Sequence, residues 1–169
     1  MNAIVYTSNT GTTKEYAKLL SDKLSLPYYS LDEIEYKVKP GGKIIYLGWI
    51  MASGVKGYKK VVKDYDVRAV CAVGMGATGT QVKEVRTKNK IPSAIPVFTL
   101  QGGFDVKKLH GIYKIMMTIM VKTAGKGLAN KQDRTQEEDQ MLEMMLHGGK
   151  YVDEKNLKAI LDWYGKRGE

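Results

Sequence analysis

Seven residues near the start of the chain, Thr7-Ser8-Asn9-Thr10-Gly11-Thr12-Thr13, constrain its fold more than any other stretch. They hold five hydroxyls and one glycine. Ahead of them runs Ala3-Ile4-Val5-Tyr6, apolar and short enough for a buried strand. Behind them Tyr16, Leu20 and Leu24 recur at helical spacing over residues 14–24, with Ala17 and Leu19 beside them. The stretch is a strand-to-helix turn that opens a helix. A helix N-terminus carries N–H groups without partners and the positive end of a dipole. Hydroxyls around it, and a glycine that admits close approach, make such a turn a cradle for phosphate. No lysine lies inside the loop, so the expected donors are neutral. The bland alternative is a well-capped helix, since Ser and Thr are favoured caps. A cap needs one hydroxyl, and five are present.

Further strands are expected at residues 26–31, 43–48, 67–73 and 95–100, with helices at 55–63 and 80–89 and a closing helix after Asp153. Pro27 suits an edge strand, and Pro40-Gly41-Gly42 reads as a turn. Strands alternating with helices imply an α/β fold with a parallel sheet covered on both faces and right-handed crossovers. Five strands in this rhythm suit the doubly wound order 2-1-3-4-5. Ligands of such sheets bind outside the carboxyl ends of the strands, at the switch point. That rule converges on four loops, at 7–13, 48–54, 74–79 and 101–104.

Extra helices are expected between the fifth strand and the closing helix. Residues 107–122 read as a helix with an extremely broad apolar surface: Leu109, Ile112, Tyr113, Ile115, Met116, Met117, Ile119, Met120 and Val121. Lys107, Lys114, Thr118 and Lys122 make one narrow polar line along it. Three readings of this helix stay open: an enlarged core, a homodimer interface, or peripheral contact with an anionic membrane. Residues 123–136 read as a polar loop and 137–147 as another helix, ended by Gly148-Gly149. Asp153 is the expected N-cap of the closing helix, with Val152 and Leu157 spaced as a hydrophobic staple.

The length of 169 residues and the 43% hydrophobic content fit one domain over 1–169. The single cysteine, Cys71, excludes an internal disulfide and is read as a core residue. No signal peptide and no apolar run of membrane-span length is seen, so the expected location is cytoplasmic. The net charge of +9 is spread along the chain and no nucleic-acid-binding motif accompanies it, so no nucleic-acid partner is expected. His110 and His147 are far apart with no cysteine at metal spacing, so no metal site is expected. No Walker motif or nucleophile elbow is present, and no side chain stands out as a general acid or base. No catalytic residue is therefore assigned.

Gly74-x-Gly76-x-x-Gly79 matches the dinucleotide fingerprint between a strand and a helix. It follows the fourth strand rather than the first, and the acidic residue expected about 20 residues on is missing. That argues against NAD.

The spacing Ser8-x-Thr10-Gly11-x-Thr13 directly after the first strand resembles the phosphate loop of the flavodoxin family. The resemblance implies a flavodoxin-like fold that holds flavin mononucleotide (FMN), with Ser8, Asn9, Thr10, Gly11, Thr12 and Thr13 on its phosphate. It also implies that Gly74, Met75, Gly76, Ala77 and Thr78 lie along the edge of the flavin ring. The loop of Trp49, Ile50 and Met51 would flank that ring, and stacking is a physical reason for a large flat side chain there. A partly buried core tryptophan is the competing reading of Trp49. Members of the family are typically acidic around the flavin, whereas residues 48–63 contain no Asp or Glu but do contain Lys56, Lys59, Lys60 and Lys63. Gln101-Gly102-Gly103 and the Met-rich helix after it resemble the branch that includes bacterial FMN-dependent protoporphyrinogen dehydrogenase. The likeness implies an oxidoreductase that exchanges electrons with a redox partner protein or a small organic acceptor, of the quinone or porphyrinogen type. An electron carrier, and an interaction module without cofactor, are the competing readings.

Overall fold

The computed structural model describes residues 1–104 and 111–166. Its first part runs β1 (Ala3–Thr7), α1 (Thr12–Leu24), β2 (Tyr28–Ser30), β3 (Lys43–Met51), β4 (Gly54–Val55), α2 (Tyr58–Asp64), β5 (Asp66–Gly74), α3 (Val82–Asn89) and β6 (Val97–Gln101). Five of these strands form a parallel sheet in the order β2-β1-β3-β5-β6, and β4 pairs antiparallel with the end of β3. Counted by its parallel strands, this is the expected doubly wound α/β order 2-1-3-4-5, with β2 at an edge.

The continuous apolar runs of the strands follow from burial on both faces. Ala3, Val5, Ile44, Tyr46, Val70 and Ala72 point to one side, where they pack with Tyr58 and Val61 of α2 and Val85 of α3. Ile4, Tyr6, Ile45, Leu47, Cys71 and Val73 point to the other, against Tyr16, Ala17 and Leu20 of α1 and Ile160 of the last helix. Neighbouring residues in a strand alternate between these two cores because the side-chain period is two.

Several boundaries depart from expectation. β3 runs on through Trp49, Ile50 and Met51, which the sequence places in a loop. It turns at Ala52 and Ser53 and returns as β4, with Ile50 opposite Val55 and Met51 opposite Gly54. α2 therefore starts at Tyr58 rather than at residue 55, after Gly57. Gly57 has φ +82°, and a Cβ there would lie 2.0 Å from Tyr46 Oη.

Beyond β6, β7 (Gly103–Phe104) pairs antiparallel with β8 (Gly149–Lys150). This two-stranded sheet joins segments remote in sequence and has no local signal. α4 (Gly111–Met120) passes into a π-helical turn at Val121–Gly125 and then α5 (Lys126–Asn130), where a loop is expected. Lys107, Leu109 and His110 lie outside the described residues, as do the side chains of Ile112, Tyr113, Met116, Met117 and Met120. Ile115 and Ile119 are 61% and 56% exposed, so these two side chains are not part of an enlarged core.

α6 (Gln136–His147) begins with a capping box, in which Thr135 Oγ1 accepts from Glu138 N and Glu138 returns a bond to Thr135 N. Asp153 accepts from Lys155 N, as its N-cap reading requires, but it opens a 3-10 turn (Glu154–Leu157) that leads into α7 (Lys158–Gly165). Val152 packs in the same cluster as Leu157. No helix among the described residues is long and apolar enough to cross a membrane.

Candidate cofactor-binding edge

The register of the sheet aligns the carboxyl ends of four strands. Thr7 of β1 is level with Gly48 of β3, and Gly48 with Ala72 of β5. One residue on, Trp49 is level with Val73, Val73 with Leu100, and Gly74 with Gln101 of β6. The loops after β1, β5 and β6 and the β3–β4 hairpin therefore open on one edge. The residues that the resemblance implies for the cofactor lie on these loops and strand ends.

The turn after β1 uses its hydroxyls in a particular way. The N-cap of α1 is Gly11, in the left-handed region at φ +102°, and no side chain caps the helix. Ser8 Oγ instead accepts from Gly11 N at 3.1 Å, one bond before the helix starts. Thr12 donates to Gly103 O at 3.3 Å and so ties α1 to β7. Thr13, in the first turn, is 1% exposed, and its Oγ1 has no hydrogen-bond partner among the described residues. Ser8 and Thr10 are half-buried, while Asn9 and Gly11 are exposed.

A cleft of about 390 Å³ opens beside this turn. Its walls are Tyr6, Thr7, Ser8, Asn9 and Gly11, with Ser30, Leu31 and Asp32 from the end of β2 and Lys14 from α1. Lys14, the residue directly after the hydroxyl motif, adds a cation to this wall beside the neutral donors expected from the loop.

The hairpin forms the second wall. Ala52 and Ser53 both have positive φ, 46° and 61°, as a two-residue turn of the primed kind requires. Neither is glycine or asparagine, so the turn carries backbone strain. Asn89 of α3 holds it: its Oδ1 accepts from Val55 N at 2.8 Å, and its Nδ2 donates to Ser53 O at 2.8 Å and Val85 O at 2.7 Å. Asn89 is a polar residue at the end of a polar helix, and nothing in the sequence marks it as a clamp. Trp49, Ile50 and Met51 are half-buried. Lys56 Nζ sits 5.5 Å from the centroid of the Trp49 ring, within cation–π range.

The loop after β5 is pinned against β6. Thr78 Oγ1 accepts from Gln101 N at 2.9 Å, Gly79 N donates to Thr99 O at 3.1 Å, and Thr80 Oγ1 donates to Ala77 O at 2.6 Å. Met75, Gly76 and Ala77 stay half-buried between these fixed points. A Cβ on Gly74 would come within 3.0 Å of Ile50 Cδ1, so glycine there lets the hairpin close on β5. The end of β6 is fixed in turn by Tyr16, whose Oη donates to Gln101 O at 2.5 Å and accepts from Asn156 Nδ2 at 2.7 Å.

Burial pushes the phenols of Tyr16 and Tyr46 upward, so both stay protonated donors in the neutral range. Among the described residues, no group of His, Cys, Asp and Glu is placed to hold a metal ion. The edge thus offers amides, hydroxyls, a tryptophan and lysines. It can bind an anionic group and a flat ring, and Asp32 adds one carboxylate to the cleft.

A family model described as a flavodoxin domain matches residues 3–130. No curated protein and no solved structure matches the chain.

Proposed function

The chain belongs to the flavodoxin domain family, and from that membership we propose that it binds FMN non-covalently at the carboxyl edge of its sheet and transfers electrons. The observation that carries the reading is the turn after β1. Among the described residues no side chain caps its helix start, and Thr13 Oγ1, in the first turn, is buried without a partner. A buried hydroxyl left unsatisfied costs on the order of 1–3 kcal/mol, and a phosphate acceptor at this turn would offset it. Ser8, Asn9, Thr10, Gly11, Thr12 and Thr13 are the residues proposed for the phosphate. Trp49, Ile50 and Met51, and Gly74, Met75, Gly76, Ala77 and Thr78, are those proposed for the ring.

When bound, FMN supplies the redox chemistry. The protein's part is to hold it, to shield it and to set its potential. The lysines at 56, 59, 60 and 63, with no carboxylate between residues 48 and 63, favour an anionic reduced cofactor. That supports an oxidoreductase serving an organic acceptor, such as a quinone or a porphyrinogen-type partner, over a low-potential carrier. The test is an absorbance spectrum after FMN is added and the excess removed. Retained flavin bands near ~370 and ~450 nm support the reading. A colourless protein would remove it and leave the fold as an interaction module.

A further inference from the structure

The excess positive charge is not placed evenly on the folded molecule. Between Gly54 and Ile91 the chain holds nine Lys and Arg against three Asp and Glu. This segment supplies the hairpin return, α2 and α3, which pack on the same side of the sheet. α2 buries Tyr58 and Val61 and leaves Lys59, Lys60 and Lys63 exposed. α3 buries Val85 and Asn89 and leaves Lys83 and Lys88 exposed, with Lys90 just after it. Tyr58 and Val61 of α2 share one core cluster with Val85 of α3. Among the described residues Lys59, Lys60, Lys63, Lys83 and Lys88 form no ion pair. On the opposite side, on α1 and the segment of the last helix, Lys23, Lys155 and Lys158 each pair with a carboxylate, while Lys18 has no ion pair among the described residues.

This face adjoins the functional edge at the hairpin. Lys56 leads from the Trp49 ring into α2, and Asn89 ties the end of α3 to the same hairpin. We propose that the α2–α3 face, with the β3–β4 hairpin at its rim, is a docking surface for an acidic electron-transfer protein. The inference rests on the flavin reading for the word redox, but the docking itself does not. Charge complementarity selects the partner: unpaired like charges on one face steer an oppositely charged surface and repel a basic one. The position beside the edge brings that partner to the Trp49 hairpin. Val62, 40% exposed, is the one large apolar side chain exposed on α2. The face thus lacks the apolar stripe with which an interfacial helix enters a membrane.

The test is a calorimetric titration of the full chain, with and without FMN, against a plant-type ferredoxin, which is acidic, at low and at moderate salt. Binding at low salt that weakens at least ~10-fold at moderate salt is expected. K59E/K60E/K63E should abolish it, while K18E/K158E/K166E, equal in net charge and placed on α1, on α7 and just after α7, should retain it. Urea midpoints establish that both variants fold. No binding at low salt overturns the proposal, as does equal loss in both variants. Binding of phosphatidylglycerol vesicles or a DNA duplex through this face, with none of ferredoxin, overturns it in favour of that partner. Failure to retain FMN with ferredoxin binding intact removes the flavin reading and leaves the docking surface standing. Flavin retained without ferredoxin binding does the reverse.

Discussion

Thr13 separates a structural role from a binding role at the level of one atom. Its Oγ1 is buried and unpartnered, and valine has nearly its shape. T13V should leave the FMN-free protein as stable as before, or up to about 1 kcal/mol more stable, because an unsatisfied hydroxyl is removed. The same change should weaken FMN binding about tenfold, roughly the worth of one hydrogen bond to a charged group. Chemical denaturation and flavin fluorescence titration read the two effects separately. Loss of stability without FMN would mean that the hydroxyl has a structural partner. Cys71 makes a simpler case. It is 0% exposed in β5, and burial raises its thiol well above the usual range. The thiolate is the reactive species, so iodoacetamide at pH 8 should leave the native protein unlabelled and modify it only in denaturant. Stoichiometric labelling of the native protein, seen by mass spectrometry, would contradict the placement of β5. Gly57 is tightly constrained, at φ +82° and with Tyr46 Oη and Thr7 Oγ1 where a Cβ would go. G57A should cost roughly 3 kcal/mol in urea unfolding, since strain and a clash add. A cost below about 0.5 kcal/mol would show that α2 can shift to make room.

At the scale of elements, the hairpin shows where sequence and structure part. The hydrophobic runs of β1, β3, β5 and β6 were legible because strands buried on both faces must be apolar throughout. The turn after β1 was legible because hydroxyls and glycine at a strand end have a distinct composition. The β3–β4 hairpin was not, because its turn is Ala52-Ser53, without the Asn-Gly or Asp-Gly that mark such turns. Trp49, Ile50 and Met51 then read as the start of a loop, although all three suit a strand. β7 and β8 were invisible for another reason: two-residue strands from opposite ends of an insertion are made by tertiary contact, not by local pattern. The capping box at Thr135 and Glu138 did have a local signature, and it starts α6 at Gln136, one residue before the sequence reading placed it. The strain in the hairpin yields a prediction. Replacing Ala52 by Asn and Ser53 by Gly should raise the unfolding free energy by about 1–2 kcal/mol, since left-handed backbone costs alanine and serine about that much. If the strained turn serves to place Trp49 at the flavin, the same variant should bind FMN no more tightly despite its added stability. Tighter binding in step with stability would show that the strain has no such use.

For the whole molecule, the distribution of charge decides which electron-transfer role suits the fold. A flavin that gains its second electron as an anion is stabilised by nearby positive charge and opposed by nearby carboxylates. Here Lys56 lies over the Trp49 ring at the edge, and Lys59, Lys60 and Lys63 follow on α2, which runs back from the hairpin toward the amino ends of β3 and β5. Lys59, Lys60 and Lys63 are exposed, act through water and are screened by salt, so each contributes little, but all four lysines have the same sign. The couple that leads to fully reduced FMN should therefore be less negative than in a protein with carboxylates at this edge. Neutralising all four as K56Q/K59Q/K60Q/K63Q should move that couple to more negative potential by on the order of tens of millivolts, and raised salt should shrink the difference. A dithionite titration with reference dyes measures both couples on the same sample. A very negative second couple in the unmodified protein, unmoved by the four substitutions, would mean that the lysines do not reach the flavin electrostatically. The protein would then suit a low-potential carrier, and the basic face would serve docking alone. A shift in the expected direction would instead join the two roles, because the charges that attract an acidic partner would also hold the electron until an acceptor of higher potential arrives.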